Sequence, residues 1–210
     1  MSRALRIGLT GPIGCGKSTV AAWLADRGAF AVDADAVARA VTAPGEPAHD
    51  AILARFGGAV RAADGTLDRA ALARLVFADP ALLHELEGIV HPAVRPRILA
   101  AMAAADRAGA SAVVVEAIKL VESGLAALCD EIWLVDCPPG AQRARLLGRG
   151  MAADDVDRRI AAQGDLAGRL RPQVARILAT DGEAAATESR AVVLYAAALA
   201  AWRFAEDTAG

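Results

Sequence analysis

The chain is poor in aromatic residues, poor in cysteine, has no long unbroken apolar run, and carries no large excess of either charge. Aromatics are 4% of its 210 residues, so aliphatic side chains must build the core. Three cysteines, widely spaced, give neither a disulfide framework nor a zinc pattern, and this sparing usage fits a reducing cytosol. No apolar stretch is long enough to span a bilayer. The N-terminus lacks the apolar heart of a secretory signal, because a short strand runs straight into a glycine-rich turn. A formal net charge of −2 argues against a protein held on nucleic acid by bulk charge. What is present is enough chain for one core with appended subdomains. Hydrophobic residues reach 55%, many of them alanine, which favours helix over strand.

The glycine-rich turn organises the rest. Gly11-Pro12-Ile13-Gly14-Cys15-Gly16-Lys17-Ser18-Thr19 fits the phosphate-binding loop pattern, in which two glycines flank four residues before Lys and Ser or Thr. Residues 6–10 before it read as a buried strand, and residues 20–24 after it as the first turns of a helix. Glycines let the backbone wrap phosphate oxygens and aim several N–H groups inward, and the helix end adds partial positive charge. In this pattern Lys17 reaches the β- and γ-phosphates and the Ser18 hydroxyl ligates Mg²⁺. Cys15 reads first as a small residue that fits the loop. A thiol at a helix N-terminus is also open to oxidation, and oxidation there is expected to block phosphate binding.

Further along, residues 29–32 form a second strand that ends at Asp33-Ala34-Asp35. Carboxylates at the carboxyl end of a strand in an open α/β sheet point into the ligand crevice. Asp33 fits that place, whereas Asp35 fits helix capping as well. Roughly seventy residues of helix follow, far longer than an ordinary crossover, with Leu82, Leu83, Leu86, Ile89 and Val90 at helical spacing. This helix is expected to stop near His91-Pro92 and resume at Val94. His91 is either a polar turn residue or a substrate contact. Residues 111–115 are a central strand ending at Glu116, where phosphate-loop enzymes commonly place a carboxylate in the magnesium shell. Residues 132–136 make a fourth strand. From Gln142 the chain turns basic, with Arg143, Arg145, Arg149, Arg158, Arg159, Arg169 and Arg171 among interleaved aspartates. These residues suit a salt-bridged helix face, but Arg145 and Arg149, four apart, also suit a lid that sets positive charge over a transferring phosphoryl group. Residues 174–179 read as a last short strand and 188–204 as a closing helix.

Taken together, the strand Ile7–Thr10, the loop, Asp33-Ala34-Asp35 with Arg39 close behind, Asp64-Gly65, His91-Pro92, Glu122 with Gly124-Leu125, then Gln142, Arg145-Leu146 and Gln163 resemble the dephospho-CoA kinase family over nearly the whole chain. The resemblance implies an α/β fold, a three-layer sandwich around a mostly parallel sheet, with a helical substrate-binding insertion and an arginine-rich helical lid. The nucleotide-binding core would be residues 1–35, 111–141 and 172–210, the helical dephospho-CoA-binding domain 36–110, and the lid 142–171. It implies transfer of the γ-phosphoryl group of ATP to the 3′-hydroxyl of dephospho-CoA in the cytoplasm, with Mg²⁺, by a monomer or weak homo-oligomer that needs neither nucleic acid nor membrane. Asp33 would be the base, helped by Lys17, Arg145 and Arg149. Residues Gly11 to Thr19 would hold ATP, and Thr10, Asp33, Asp35, Arg39, His91 and Glu116 would meet the acceptor. The sequence departs from the family after the third strand, where Glu116-Ala117-Ile118-Lys119 replaces an aspartate followed by proline and leucines. It departs again at Thr180, where the family has asparagine.

Two other readings keep the loop. A nucleoside-monophosphate or small-metabolite kinase would share the fold with another acceptor. A nucleotide-gated switch would carry a guanine-reading Asn-Lys-x-Asp segment, which the chain does not have.

Overall fold

The computed structural model describes residues 3–209. Its most protected strand is β1 (Leu5–Thr10), every residue of which is buried. The cause is its place in the sheet. β1 lies between β3 (Ala112–Glu116) and β4 (Glu131–Asp136), and β2 (Ala29–Asp33) and β5 (Arg176–Ala179) close the two sides, giving the order β2-β3-β1-β4-β5. All pairings are parallel. Parallel strands covered on both faces read as continuous apolar runs, as Val113-Val114-Val115 does, whereas each of the two outer strands has one buried position, Val32 in β2 and Leu178 in β5. This is the expected α/β class with a parallel sheet.

One face of the sheet packs on α1 (Lys17–Ala25) and α9 (Ala184–Ala209). Leu5, Ile7, Leu9, Val114, Trp133 and Val135 of the strands share a core with Val20, Ala21 and Leu24 of α1 and Ala191, Tyr195 and Ala198 of α9. The other face carries Leu134, which packs with Leu166 and Leu170 of a short helix, residues 166–170. Trp133, the largest fully buried side chain, keeps its indole N–H satisfied by donating to Glu131 at 2.8 Å.

The chain divides into two units, Met1–Asp33 with Met102–Gly210, and Ala34–Ala101. The second unit is helical: α2 (Ala34–Val41), α3 (Pro47–Phe56), α4 (Arg69–Phe77) and the first part of α5 (Pro80–Arg107). Ile52, Val60, Leu67, Leu72 and Val76 form its core, and Leu82, Leu83, Leu86, Ile89 and Val90 pack against them, so the helical spacing read from the sequence is real. Asp68 caps α4 by accepting from the Ala71 N–H at 2.9 Å.

One expectation fails here. The helix does not stop at His91-Pro92: α5 runs through both Pro92 and Pro96. Each proline removes one helical N–H and costs about 3 kcal/mol. The buried stripe of Val94, Ile98, Met102 and Ala105, spaced at helical intervals, recovers more than one bond by apolar burial.

Candidate active site

The loop after β1 depends on glycine in ways the side-chain space makes explicit. Gly11, Gly14 and Gly16 all have positive φ. A Cβ on Gly11 would lie 2.0 Å from the Val135 carbonyl oxygen, so the loop lies directly on the backbone of β4. Gly16 is the N-cap of α1, whose first helical bond runs from Val20 N to Gly16 O at 3.0 Å. The loop thus ends at a helix N-terminus, where unpaired N–H groups and the helix dipole favour an anion.

Lys17 is buried, and its ammonium donates to the carbonyls of Gly11 at 2.8 Å and Pro12 at 3.1 Å. It lies along the loop it would serve. Ser18 donates its hydroxyl proton to Glu116 Oε1 at 2.7 Å. Thr10, fully buried, donates to the Ile118 carbonyl at 3.1 Å and so ties the end of β1 to the turn after β3. Asp33 closes β2 in register with Glu116 at the end of β3. Hence Asp33, Glu116, Ser18 and Lys17 line up along the carboxyl edge of the sheet, where open α/β folds bind ligands.

Two further side chains fasten the loop. Gln142 donates to the Ile13 carbonyl at 2.8 Å, and Gln163 accepts from the Ile13 N–H at 2.9 Å. They come from α6 (Pro139–Gly148) and from the last residue of α7 (Ala153–Gln163), the arginine-rich segment. The arginines there divide into two sets. Arg143 pairs with Asp157, Arg158 and Arg159 with Asp155, and Arg171 with Asp136, as a salt-bridged surface would. Arg145 instead reaches Thr180, while Arg149 caps α6. Arg145, Arg149, Thr180, Gly16, Thr19 and Trp23 line a cavity of about 280 Å³ beside the loop. A larger cavity, about 540 Å³, takes only Pro12 from the loop and includes Asp136, Asp165 and Asp181. Its lining sets those three carboxylates against one guanidinium, Arg171, whereas the smaller cavity has Arg145 and Arg149 and no carboxylate, so the smaller one suits a nucleotide better.

Asp35, Arg39 and His91 belong to the helical unit, Asp35 and Arg39 on the first and last turns of α2 and His91 within α5. Four participants escaped the sequence reading. Thr180 stood out only as a departure from a family pattern. The roles of Gln142 and Gln163 on Ile13 had no signal beyond their place in that pattern. Cys137 is the fourth. The expectation that the cysteines form no disulfide is overturned: Cys15 and Cys137 are bonded, with Cα atoms 5.3 Å apart. Sequence spacing concealed this, because β1 and β4 are neighbours in space, and the residues just past their carboxyl ends meet.

The five-stranded parallel sheet, the glycine loop and the basic helical segment define a phosphate-loop kinase. A family model of dephospho-CoA kinase matches residues 5–186. A dephospho-CoA kinase of Synechococcus sp. (strain CC9605) is 44% identical over 188 residues, 89% of this chain and 89% of the relative. TT1252 from Thermus thermophilus has a crystal structure that matches with a TM-score of 0.80 at 34% identity, over 93% of this chain and 98% of its own. Dephospho-CoA kinase from Campylobacter jejuni shares the fold with a TM-score of 0.64 at 22% identity, over 90% of this chain and 94% of its own. The chain belongs to the dephospho-CoA kinase family, whose reaction is the last step of coenzyme A synthesis.

Proposed function

We propose that this chain transfers the γ-phosphoryl group of ATP to the 3′-hydroxyl of dephospho-CoA, with the loop from Gly11 to Thr19 as the triphosphate cradle. The observation that carries the reading is the row of Lys17, Ser18, Glu116 and Asp33 along one edge of the sheet. The triphosphate lies on the loop amides, with the adenosine in the cavity bounded by Thr19, Trp23, Arg145 and Arg149. Lys17, Arg145 and Arg149 offset charge on the transferring group. Asp33 orients the acceptor hydroxyl and takes its proton, and Asp35, Arg39 and His91 bind the acceptor; Thr10, expected among the acceptor contacts, is fully buried and bonded to the Ile118 carbonyl, and holds the strand end instead. Transfer is in line, and the work is positioning and electrostatics.

The donor set also suits Mg²⁺. A hydroxyl and a carboxylate oxygen meet at 2.7 Å at Ser18 and Glu116, and Mg²⁺ commonly takes one or two carboxylates with waters and substrate phosphates. Bound there, the ion supplies charge neutralisation at the phosphate oxygens. The reading places the reaction in the cytoplasm, with ATP and dephospho-CoA as partners and a monomer or weak homo-oligomer as the working form. Among the described residues, no helix is long and apolar enough to cross a membrane.

The test is ADP release with dephospho-CoA against AMP, CMP and shikimate as acceptors. The reading requires dephospho-CoA to exceed the others in kcat/KM by orders of magnitude. Asp33→Asn should cut kcat far more than it changes ATP affinity, and full turnover in that variant rules out the base role.

A further inference from the structure

We propose that Cys15 and Cys137 form a reversible redox clamp that fastens the phosphate loop to the end of β4. Oxidised, the pair holds the loop in the shape that receives nucleotide; a small dithiol releases it. The inference rests on the reading of this loop as the ATP site.

The bond joins positions 122 residues apart in sequence. Cys15 is fully buried and belongs to the apolar core behind the loop, with Cys137 packed against the same core. The Cys15 sulfur therefore faces inward and does not stand where a phosphate would. This corrects the expectation that oxidation of Cys15 blocks phosphate binding. The bond acts on loop shape instead. Three glycines at positive φ leave the loop backbone free to take other shapes. Against that freedom stand hydrogen bonds: Gln142 donates to the Ile13 carbonyl, Gln163 accepts from the Ile13 N–H, Thr180 donates to the Cys15 carbonyl at 2.8 Å, and Lys17 donates to the Gly11 and Pro12 carbonyls. The disulfide adds a covalent hold on the same short stretch. A preformed cradle binds its ligand with less ordering cost.

The bond is open to chemistry from one side. Cys137 is partly exposed and lines the cavity of about 540 Å³ with Pro12, Pro138 and Gln142. A thiolate of the dithiol attacks the Cys137 sulfur, and Cys15 leaves as a thiolate and takes a proton. The second thiolate of the reductant then breaks the mixed disulfide. Cys137 is released and protonated, and the reductant closes to a cyclic disulfide, so two electrons have passed to the protein. In the other direction, hydrogen peroxide oxidises the Cys137 thiolate to a sulfenic acid with loss of hydroxide. The Cys15 thiol condenses with it, releasing water and restoring the bond. Cys129 stands apart, its thiol pushed up to about 12 by burial.

Thiol counting in denaturant, thermal melting and ATP kinetics test the clamp on the full chain after peroxide and after a dithiol. After peroxide the single titratable thiol should be Cys129, and after the dithiol all three cysteines should titrate. Reduction should lower Tm by about 5–10 °C and raise the KM for ATP several-fold. The kcat at saturating ATP should stay within about twofold, since the reacting groups are unchanged. Peroxide should reverse each change. Cys137→Ser should show the reduced-state values under both treatments. The clamp is overturned if three thiols persist after peroxide, if the thiol count changes while Tm and KM do not, or if the oxidised chain loses ATP turnover that the reduced chain has. A chain whose thiol count and Tm respond, but which uses ATP in neither state, keeps the clamp and sinks the kinase reading.

Discussion

Arg145 lays both terminal nitrogens of its guanidinium on Thr180: Nη1 donates to the hydroxyl at 2.8 Å and Nη2 to the carbonyl. The same hydroxyl donates to the Cys15 carbonyl at 2.8 Å, so one buried threonine joins Arg145 of α6 to the phosphate loop. Thr180→Val keeps the volume and removes the hydroxyl, leaving a guanidinium N–H and a loop carbonyl without their partner. A lost hydrogen bond to a charged group is worth about 1.5–3 kcal/mol, so kcat should fall about tenfold to hundredfold with a smaller change in the KM for ATP. Thr180→Ser should recover most of the loss. Combined with Arg145→Ala, the valine variant should add little, because both changes remove one interaction. Fully additive losses in steady-state kinetics would separate Thr180 from Arg145.

Glu116 binds the Ser18 hydroxyl and sits in register beside Asp33. Glu116→Gln keeps the shape and loses the charge that would hold magnesium. Half-activation should then need about tenfold more Mg²⁺, within the usual range for altered ligand shells, while turnover at saturating Mg²⁺ should fall less. A magnesium titration monitored by ADP release reads this directly. An unshifted titration curve removes Glu116 from the metal's surroundings.

The three loop glycines are not equivalent. A Cβ at Gly11 would meet the Val135 carbonyl at 2.0 Å, whereas one at Gly16 would meet nothing within 4 Å. Gly16→Ala therefore costs mainly the strained backbone, about 1–2 kcal/mol. Gly11→Ala must in addition push the loop off β4. Melting curves should show a clearly larger loss of Tm for Gly11→Ala, with weakened ATP binding in both. Equal losses would mean that the loop does not lean on β4 in solution.

Where local pattern and tertiary need agree, the sequence was readable. β1, the loop and α1 announce themselves by a buried run, three glycines and a helix start within some twenty residues. The strand ends at Asp33 and Glu116 were found by the same logic, and their shared register gave that logic a physical basis. What escaped depended on pairs distant in sequence. The Arg145–Thr180 contact spans 35 residues and the Ile13–Gln163 contact 150, and no local pattern encodes either. The Cys15–Cys137 bond was hidden for the same reason. The misreading of α5 is of another kind: proline rules describe the backbone alone, and a stripe of buried side chains from Val94 to Ala105 outweighed them.

Glu131 accepts from Arg176 Nε at 2.7 Å and Nη2 at 3.0 Å, and from the Trp133 indole at 2.8 Å. The hydrogen bonds from Arg176 are the main reason its carboxyl is held below the usual carboxylate range, with Trp133 adding to them and burial opposing them. A carboxyl whose folded pKa is depressed contributes stability that is complete above its unfolded value, about 4.3. That contribution is lost as the pH falls through the folded pKa. Asp106 is lowered as well: burial opposes the shift, but hydrogen bonds from the Ala4 N–H and Arg6 outweigh it. The wild-type chain should therefore lose Tm as the pH drops from about 5 to 3. Glu131→Gln should be less stable than wild type at pH 7, since the Arg176 charge loses its counterpart. Its curve should also be flatter between those limits, because one of the groups that titrates has gone. The measurement is Tm against pH for both proteins. If the two curves fall in parallel through the acid range, Glu131 does not carry the acid sensitivity assigned to it.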